Sequence, residues 1–323
     1  TYTLLFIIYR DGSFLYMLSY IPLNFLFVTR VIKYRKFKDL FLYSLITAVF
    51  SISFMNPGYG TLILLFDLVL IVSTTRNLNR NLAATIMKLS LLTIGMNSFW
   101  IFPSLTYIFE EFTHVYIRCP TEVNLRTSTQ CMDLMAAFRL LPKVELWLWR
   151  IKDTSWRVAY FKNPFFILYS LMLVIISLIP LVSLPYVKYD YYAKKIIITV
   201  TIILVASIFL SKFGNEPAGS VNIILYKLIP YMRLYAAFDK FPLLVMLCMS
   251  ILFGYGVGII VHLIKRSPLK IMSLMILALL LIAHMLYIYP FWIGNVVTSK
   301  VTFNGAEVTS CLLYTSPSPR DRG

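Results

Sequence analysis

Few residues in this chain can do chemistry, and most stand outside its apolar runs. The 323 residues include 14 acids, three histidines and four cysteines against 30 Lys and Arg. Glu110 and Glu111 are adjacent carboxylates just beyond a long apolar run. Such a pair fits a general base or a divalent-metal ligand set, and equally a solvated helix end. Glu216 lies in the turn Gly214-Asn215-Glu216-Pro217. Asp239 and Lys240 stand at the mouth of another apolar run, with Arg233 shortly before them. A charge at that position is costly unless paired or wet, which marks a site, or it snorkels to the membrane interface; both readings are open. Cations there suit an anionic head group such as a lipid-linked phosphate. Cys119 and Cys131 share the polar stretch 104–163. A disulfide between them and two free thiols are both open, because spacing does not fix geometry.

The signatures of common soluble catalysts are missing from the sequence. It has no Walker A loop, no dinucleotide-binding glycine fingerprint, no HExxH and no GxSxG. His114, His262 and His284 are scattered, so the histidines suggest no metal cluster.

The elements that must position the polar residues are apolar. Hydrophobic residues make up 59% of the chain and its mean hydropathy is +0.77, where soluble domains run at about 45–50% apolar. Runs of roughly 17–22 apolar residues are long enough to cross a bilayer core about 30 Å thick. They do not alternate with period two, which disfavours a β-barrel. The expected class is an all-α polytopic membrane protein with about eight transmembrane helices: 13–32, 41–55, 61–73, 82–103, 164–184, 196–210, 242–263 and 271–289. Asn56-Pro57-Gly58 is a turn signal joining the second and third. Residues 290–310 turn polar, and VVTSKVTF alternates as a strand does.

The net charge of +16 sits mainly in short loops. Placing 33–38 (KYRKFK) in the cytoplasm puts 76–81, 188–195 and 264–270 there as well, as the positive-inside bias requires. The loops 104–163 and 211–241 then lie outside. No basic stripe with stacking aromatics lies beyond the membrane, so nucleic acid is not an expected partner. Within 104–163, Thr129–Leu141 has helical apolar spacing suited to the membrane surface, and Trp147 and Trp149 fit interfacial anchors. The outer loop 211–241 carries Lys212, Lys227, Arg233 and Lys240, against the charge bias. Val221–Leu234 in it reads as a short interfacial or re-entrant helix, a form tolerated at membrane depth only where protein or a cavity shields it. Residues 311–323 (CLLYTSPSPRDRG) resemble a translated sequencing adapter. With a start at Thr1 in mid-pattern, this gives the expectation of a fragment, 1–310, followed by a non-native tail.

The stretch FLSKFGNEP…LYKLIPYMRLYAAFDKF, followed by an apolar run with LFGYG, resembles membrane glycosyltransferases of the GT-C class, in particular the arabinofuranosyltransferase-like group. Pro230 and Lys240-Phe241 match its pattern. The Arg that the group carries ahead of the Lys is not in place: Ala236 and Ala237 stand there, and Arg233 is displaced. Asn97–Pro103 (NSFWIFP) is similar to the exit of a span in the same proteins, and Tyr289–Gly294 (YPFWIG) to the lead into their extracytoplasmic region. The resemblance implies transfer of a sugar from a polyprenyl-phosphate donor to a cell-envelope glycan or glycoprotein acceptor. Lys240 and Arg233 would hold phosphate, with or without a divalent metal, and Glu216 and Asp239 would bind sugar hydroxyls. The catalytic acid of that class lies in the first outer loop, a part this chain is expected to lack, so no catalytic residue is carried over. Two alternatives stand beside this reading: a transporter or flippase of lipid-linked sugars, and a non-catalytic scaffold of polymer assembly.

Overall fold

A computed structural model describes residues 12–51, 57–74, 80–118, 134–139, 163–229, 240–266, 270–287, 301–303 and 306–308. They form ten helices and one hairpin: α1 (Gly12–Tyr34), α2 (Phe37–Val49), α3 (Pro57–Thr74), α4 (Arg80–Arg118), α5 (Leu134–Arg139), α6 (Pro164–Ser183), α7 (Tyr191–Ser211), α8 (Gly219–Leu228), α9 (Lys240–Arg266) and α10 (Lys270–Tyr287), then β1 (Val301–Phe303) and β2 (Ala306–Val308). The hairpin is antiparallel with Thr302 opposite Glu307. It falls in the stretch whose alternation suggested a strand. The helical class is as expected. Among the described residues three helices are long and apolar enough to cross a membrane: Pro164–Ser183, Tyr191–Ser211 and Phe241–Leu263. Tyr59–Thr74 and Ala278–Tyr287 are shorter apolar helices.

Several boundaries differ from the expected ones, for local reasons. Helix α2 begins inside the basic stretch at Phe37 because Asp39, in its first turn, accepts from Arg30 Nε of α1 at 2.9 Å. An acid near a helix N-terminus also complements the dipole there. Helix α4 runs through Pro103 to Arg118, so the first part of the expected loop 104–163 is helix. Helix α7 takes up Lys194 and Lys195 in its first turn. Helix α6 starts where it should: Asn163 caps it by accepting from the Phe165 amide at 2.9 Å, and Pro164 fills the first position, where a missing N–H costs nothing.

Helix α9 is the hub, packed on α3, α5, α6, α7 and α10. Its Val245, Cys248 and Leu252 are buried with Ile197, Val200 and Leu204 of α7 and Ile63 and Leu70 of α3. On α6, Leu168, Ile175 and Val182 recur every seven residues and stay exposed, the stripe expected of a helix face turned to lipid. Apolar burial gives little drive between helices in lipid, so close backbone approach and interhelical hydrogen bonds matter more. Both occur where α6 meets α9. A Cβ on Gly256 would lie 2.2 Å from the Ile176 carbonyl oxygen, and Ser177 Oγ donates to the Met249 carbonyl at 3.3 Å.

Candidate functional site

The polar turn between α7 and α8 is built for closure. Phe213 and Ala218 have φ of 52° and 59°. The chain folds back so tightly that a Cβ on Gly219 would sit 2.0 Å from the Gly214 carbonyl oxygen. Lys212, only 2% exposed, donates its ammonium protons to the carbonyls of Asn215 (2.5 Å) and Pro217 and lies 5.0 Å from the Phe209 ring centre. Burial pushes that ammonium below its usual range, and the Glu216 carboxylate opposes part of the shift. Asn222 Nδ2 donates to the Phe209 (2.5 Å) and Phe213 (2.9 Å) carbonyls, and the buried Tyr226 ring packs on Phe213. One of the cations that broke the charge bias is thus explained: Lys212 satisfies backbone carbonyls inside the turn. Glu216 is exposed on its rim.

A cavity of about 470 Å³ opens between α6, α9 and α10, with α5 at one end. Its walls are apolar, including Met172, Leu173, Met246, Phe253 and Leu280. Ser177 and Ser250 add hydroxyls along the walls, and the remaining polar groups gather near α5 and the adjoining helix ends. The half-buried Arg139 donates from Nε to Ser170 Oγ at 2.8 Å. Tyr169 OH and His284 Nδ1 are 3.0 Å apart, and the Tyr287 ring packs beside them, tilted, with its centre 5.0 Å from that of Tyr169. An apolar channel with a cationic, hydrogen-bonding end can hold a chain whose head is anionic. No carboxylate is among the described residues that line it, and that set suits a phosphate held by a guanidinium better than a divalent metal. Among the described residues no three His, Cys, Asp or Glu come together as metal ligands.

A second polar cluster lies inside the α1–α2–α3 bundle. Asp67 interrupts the apolar run of α3 and is 2% exposed. Asn24 Nδ2 of α1 donates to both its oxygens, at 2.9 and 2.8 Å, and Tyr43 OH of α2 donates to Oδ2 at 2.7 Å. Tyr20 OH donates to Asn24 Oδ1 at 2.7 Å, and Thr47 Oγ1 lies 3.4 Å from the same hydroxyl. Every partner of the carboxylate is a donor, and among the described residues no cation pairs with it.

Most of the expected site residues fall where side-chain contacts are not described. Arg233, Asp239, Cys119 and Cys131 lie outside the described residues. Lys240 is the first residue of α9, and Glu110 and Glu111 belong to the last turns of α4. Arg139 and Asp67 were the two residues missed. Asp67 had a signal, a lone acid in TLILLFDLVLIVST, which by itself marks a functional candidate inside a membrane. Arg139 lay in the stretch expected at the membrane surface and was hidden among its apolar residues. No family model matches this chain, and neither does any curated protein or solved structure.

Proposed function

We propose that the protein is a polytopic membrane glycosyltransferase of GT-C type that takes its sugar from a polyprenyl-phosphate donor and passes it to an extracytoplasmic glycan or glycoprotein. The observation that carries this reading is the Arg139-ended apolar cavity between α6, α9 and α10. Its walls accept a polyprenyl chain, and Arg139 offers the planar donors that phosphate oxygens prefer. The sequence resemblance points to the same class of donor.

In the proposed topology α1, α2, α3, α4, α6, α7, α9 and α10 all span the bilayer, giving the expected eight. Loops 33–38, 76–81, 188–195 and 264–270 face the cytoplasm. Arg139, the start of α6 and the end of α10 then share the outer side, so the cavity's polar end faces the side where transfer takes place. The reaction is displacement at the anomeric carbon, with the lipid phosphate leaving and the acceptor hydroxyl giving its proton to a carboxylate base. Arg139 holds the leaving phosphate. Glu216, Arg233, Asp239 and Lys240 remain candidates for the sugar and acceptor side, and the base is not assigned. The test is transfer of radiolabelled sugar from a polyprenyl-phosphate donor by the chain in membranes. Arg139→Ala lowers transfer at limiting donor in this account, and transfer unchanged by that variant would sink it.

The Asp67 cluster favours one second reading, a transporter of lipid-linked sugars. Carboxylates at membrane depth without a cation partner are common parts of coupled carriers. Flux of labelled donor across proteoliposomes without transfer, abolished in Asp67→Asn, would put this reading first.

A further inference from the structure

A larger cavity, which shares Ser250 with the first, plays no part in the proposed transfer. It measures about 700 Å³, and α1, the segment before α7 and α9 line it. That volume is within the range of about 300–1,000 Å³ typical of small-molecule sites. Ser250, Gly254, Gly258 and His262 follow one another at four-residue intervals on α9, so they form one face. Ile21, Pro22 and Phe25 of α1 stand across from them.

The glycines of α9 do different jobs. Gly256 receives the backbone of α6, as described above. A Cβ on Gly254 or Gly258 would meet nothing within 4 Å. Small residues in membrane helices usually admit a neighbouring helix; here the space in front of both is open. From Leu247 to Leu263, the residues of α9 that line the cavity, is sixteen residues, or about 24 Å of helix. That exceeds the depth of one leaflet, which is half of a core about 30 Å thick.

The two ends of this groove differ. Leu247, Ser250 and Ile251 close one end. Lys188, Tyr189 and His262 stand at the other. Across 188–195 three lysines (Lys188, Lys194, Lys195) face one acid, Asp190. The net charge there is positive. Basic pockets between helices on the cytoplasmic side are the places where anionic lipid head groups bind.

We propose that this groove is a resident site for an anionic phospholipid of the cytoplasmic leaflet, with its acyl chain along the Gly254–Gly258 face and its head group at Lys188 and His262. The site rests on the membrane topology proposed above and does not depend on sugar transfer. Its failure therefore leaves the Arg139 cavity untouched. Charge complementarity selects the occupant: a zwitterionic lipid offers the same chains without the net negative head.

The test compares lipid retention by the full chain in native mass spectrometry, after reconstitution with phosphatidylglycerol or with phosphatidylcholine of identical chains. One lysine near a head group corresponds to about a fivefold preference for the anionic lipid. Lys188→Ala is expected to bring that preference close to one. Gly258→Leu is expected to remove bound lipid of both kinds while the protein keeps its helical circular dichroism. Should Gly258→Leu fail to fold, Gly254→Leu makes the same test one turn away. Equal retention of the two lipids in the wild type overturns the proposal. So does retention unchanged in a folded Gly258→Leu protein. So does a dimer that Gly258→Leu dissociates, since a second copy would then fill the groove.

Discussion

Tyr43→Phe removes one hydroxyl from the Asp67 cluster and leaves the ring in place. The hydroxyl donates to Asp67 Oδ2 at 2.7 Å, and Asn24 keeps its own bonds to both oxygens. What this deletion costs depends on the charge of the carboxylate. A hydrogen bond to a charged group is worth about 1.5–3 kcal/mol. Neutral polar pairs between membrane helices average about 0.6 kcal/mol. With the carboxylate charged, Tyr43→Phe should destabilise by about 2 kcal/mol, well above the neutral average. Reversible unfolding in mixed micelles of mild and denaturing detergent gives the number. The control is the same change in an Asp67→Asn background, where the acceptor is a neutral amide. The penalty should fall there to about 0.6 kcal/mol, a coupling of about 1.4 kcal/mol. A penalty at or below 0.6 kcal/mol in both backgrounds would refute the charged carboxylate and reduce the cluster to ordinary helix contacts.

Three further predictions concern glycine. Gly256→Ala places a Cβ 2.2 Å from the Ile176 carbonyl oxygen and should cost about 1–3 kcal/mol by pushing α6 off α9; Gly254→Ala, facing open space, should be neutral or stabilise by up to about 1 kcal/mol in the same unfolding assay. Gly219→Ala collides with backbone inside the α7–α8 turn and should cost about 3 kcal/mol or more, seen as loss of folded protein in detergent chromatography.

The sequence carried the helical class because apolar runs of bilayer length have few other uses. It also carried the Gly214–Pro217 turn, whose glycine and proline break the helical pattern, and the β-like character of 290–310. Helix ends were less legible. Basic residues read as loop at 33–38 and 188–195, yet the Asp39–Arg30 pair pulled Phe37 into α2, and Lys194 and Lys195 joined α7. Pro103 read as an exit, and α4 continues through it. The site was least legible. Arg139 gains meaning through Ser170, 31 residues away, and Asp67 through Asn24 and Tyr43, 43 and 24 residues away. No local pattern encodes such pairings. The role of Lys212 was hidden too: it stood out only as a cation against the charge bias, and its protons go to two backbone carbonyls.

In the proposed function the α6–α9–α10 cavity holds a polyprenyl phosphate by its head at Arg139. The direct measurement is the affinity of the chain in nanodiscs for polyprenyl phosphate, compared across wild type, Arg139→Ala and Arg139→Lys. Loss of a charged phosphate contact should weaken binding in Arg139→Ala by tenfold or more, since 1.4 kcal/mol is about a factor of ten. Arg139→Lys should recover part of that loss, keeping the charge without the planar fork. Equal affinity in all three proteins would contradict the account.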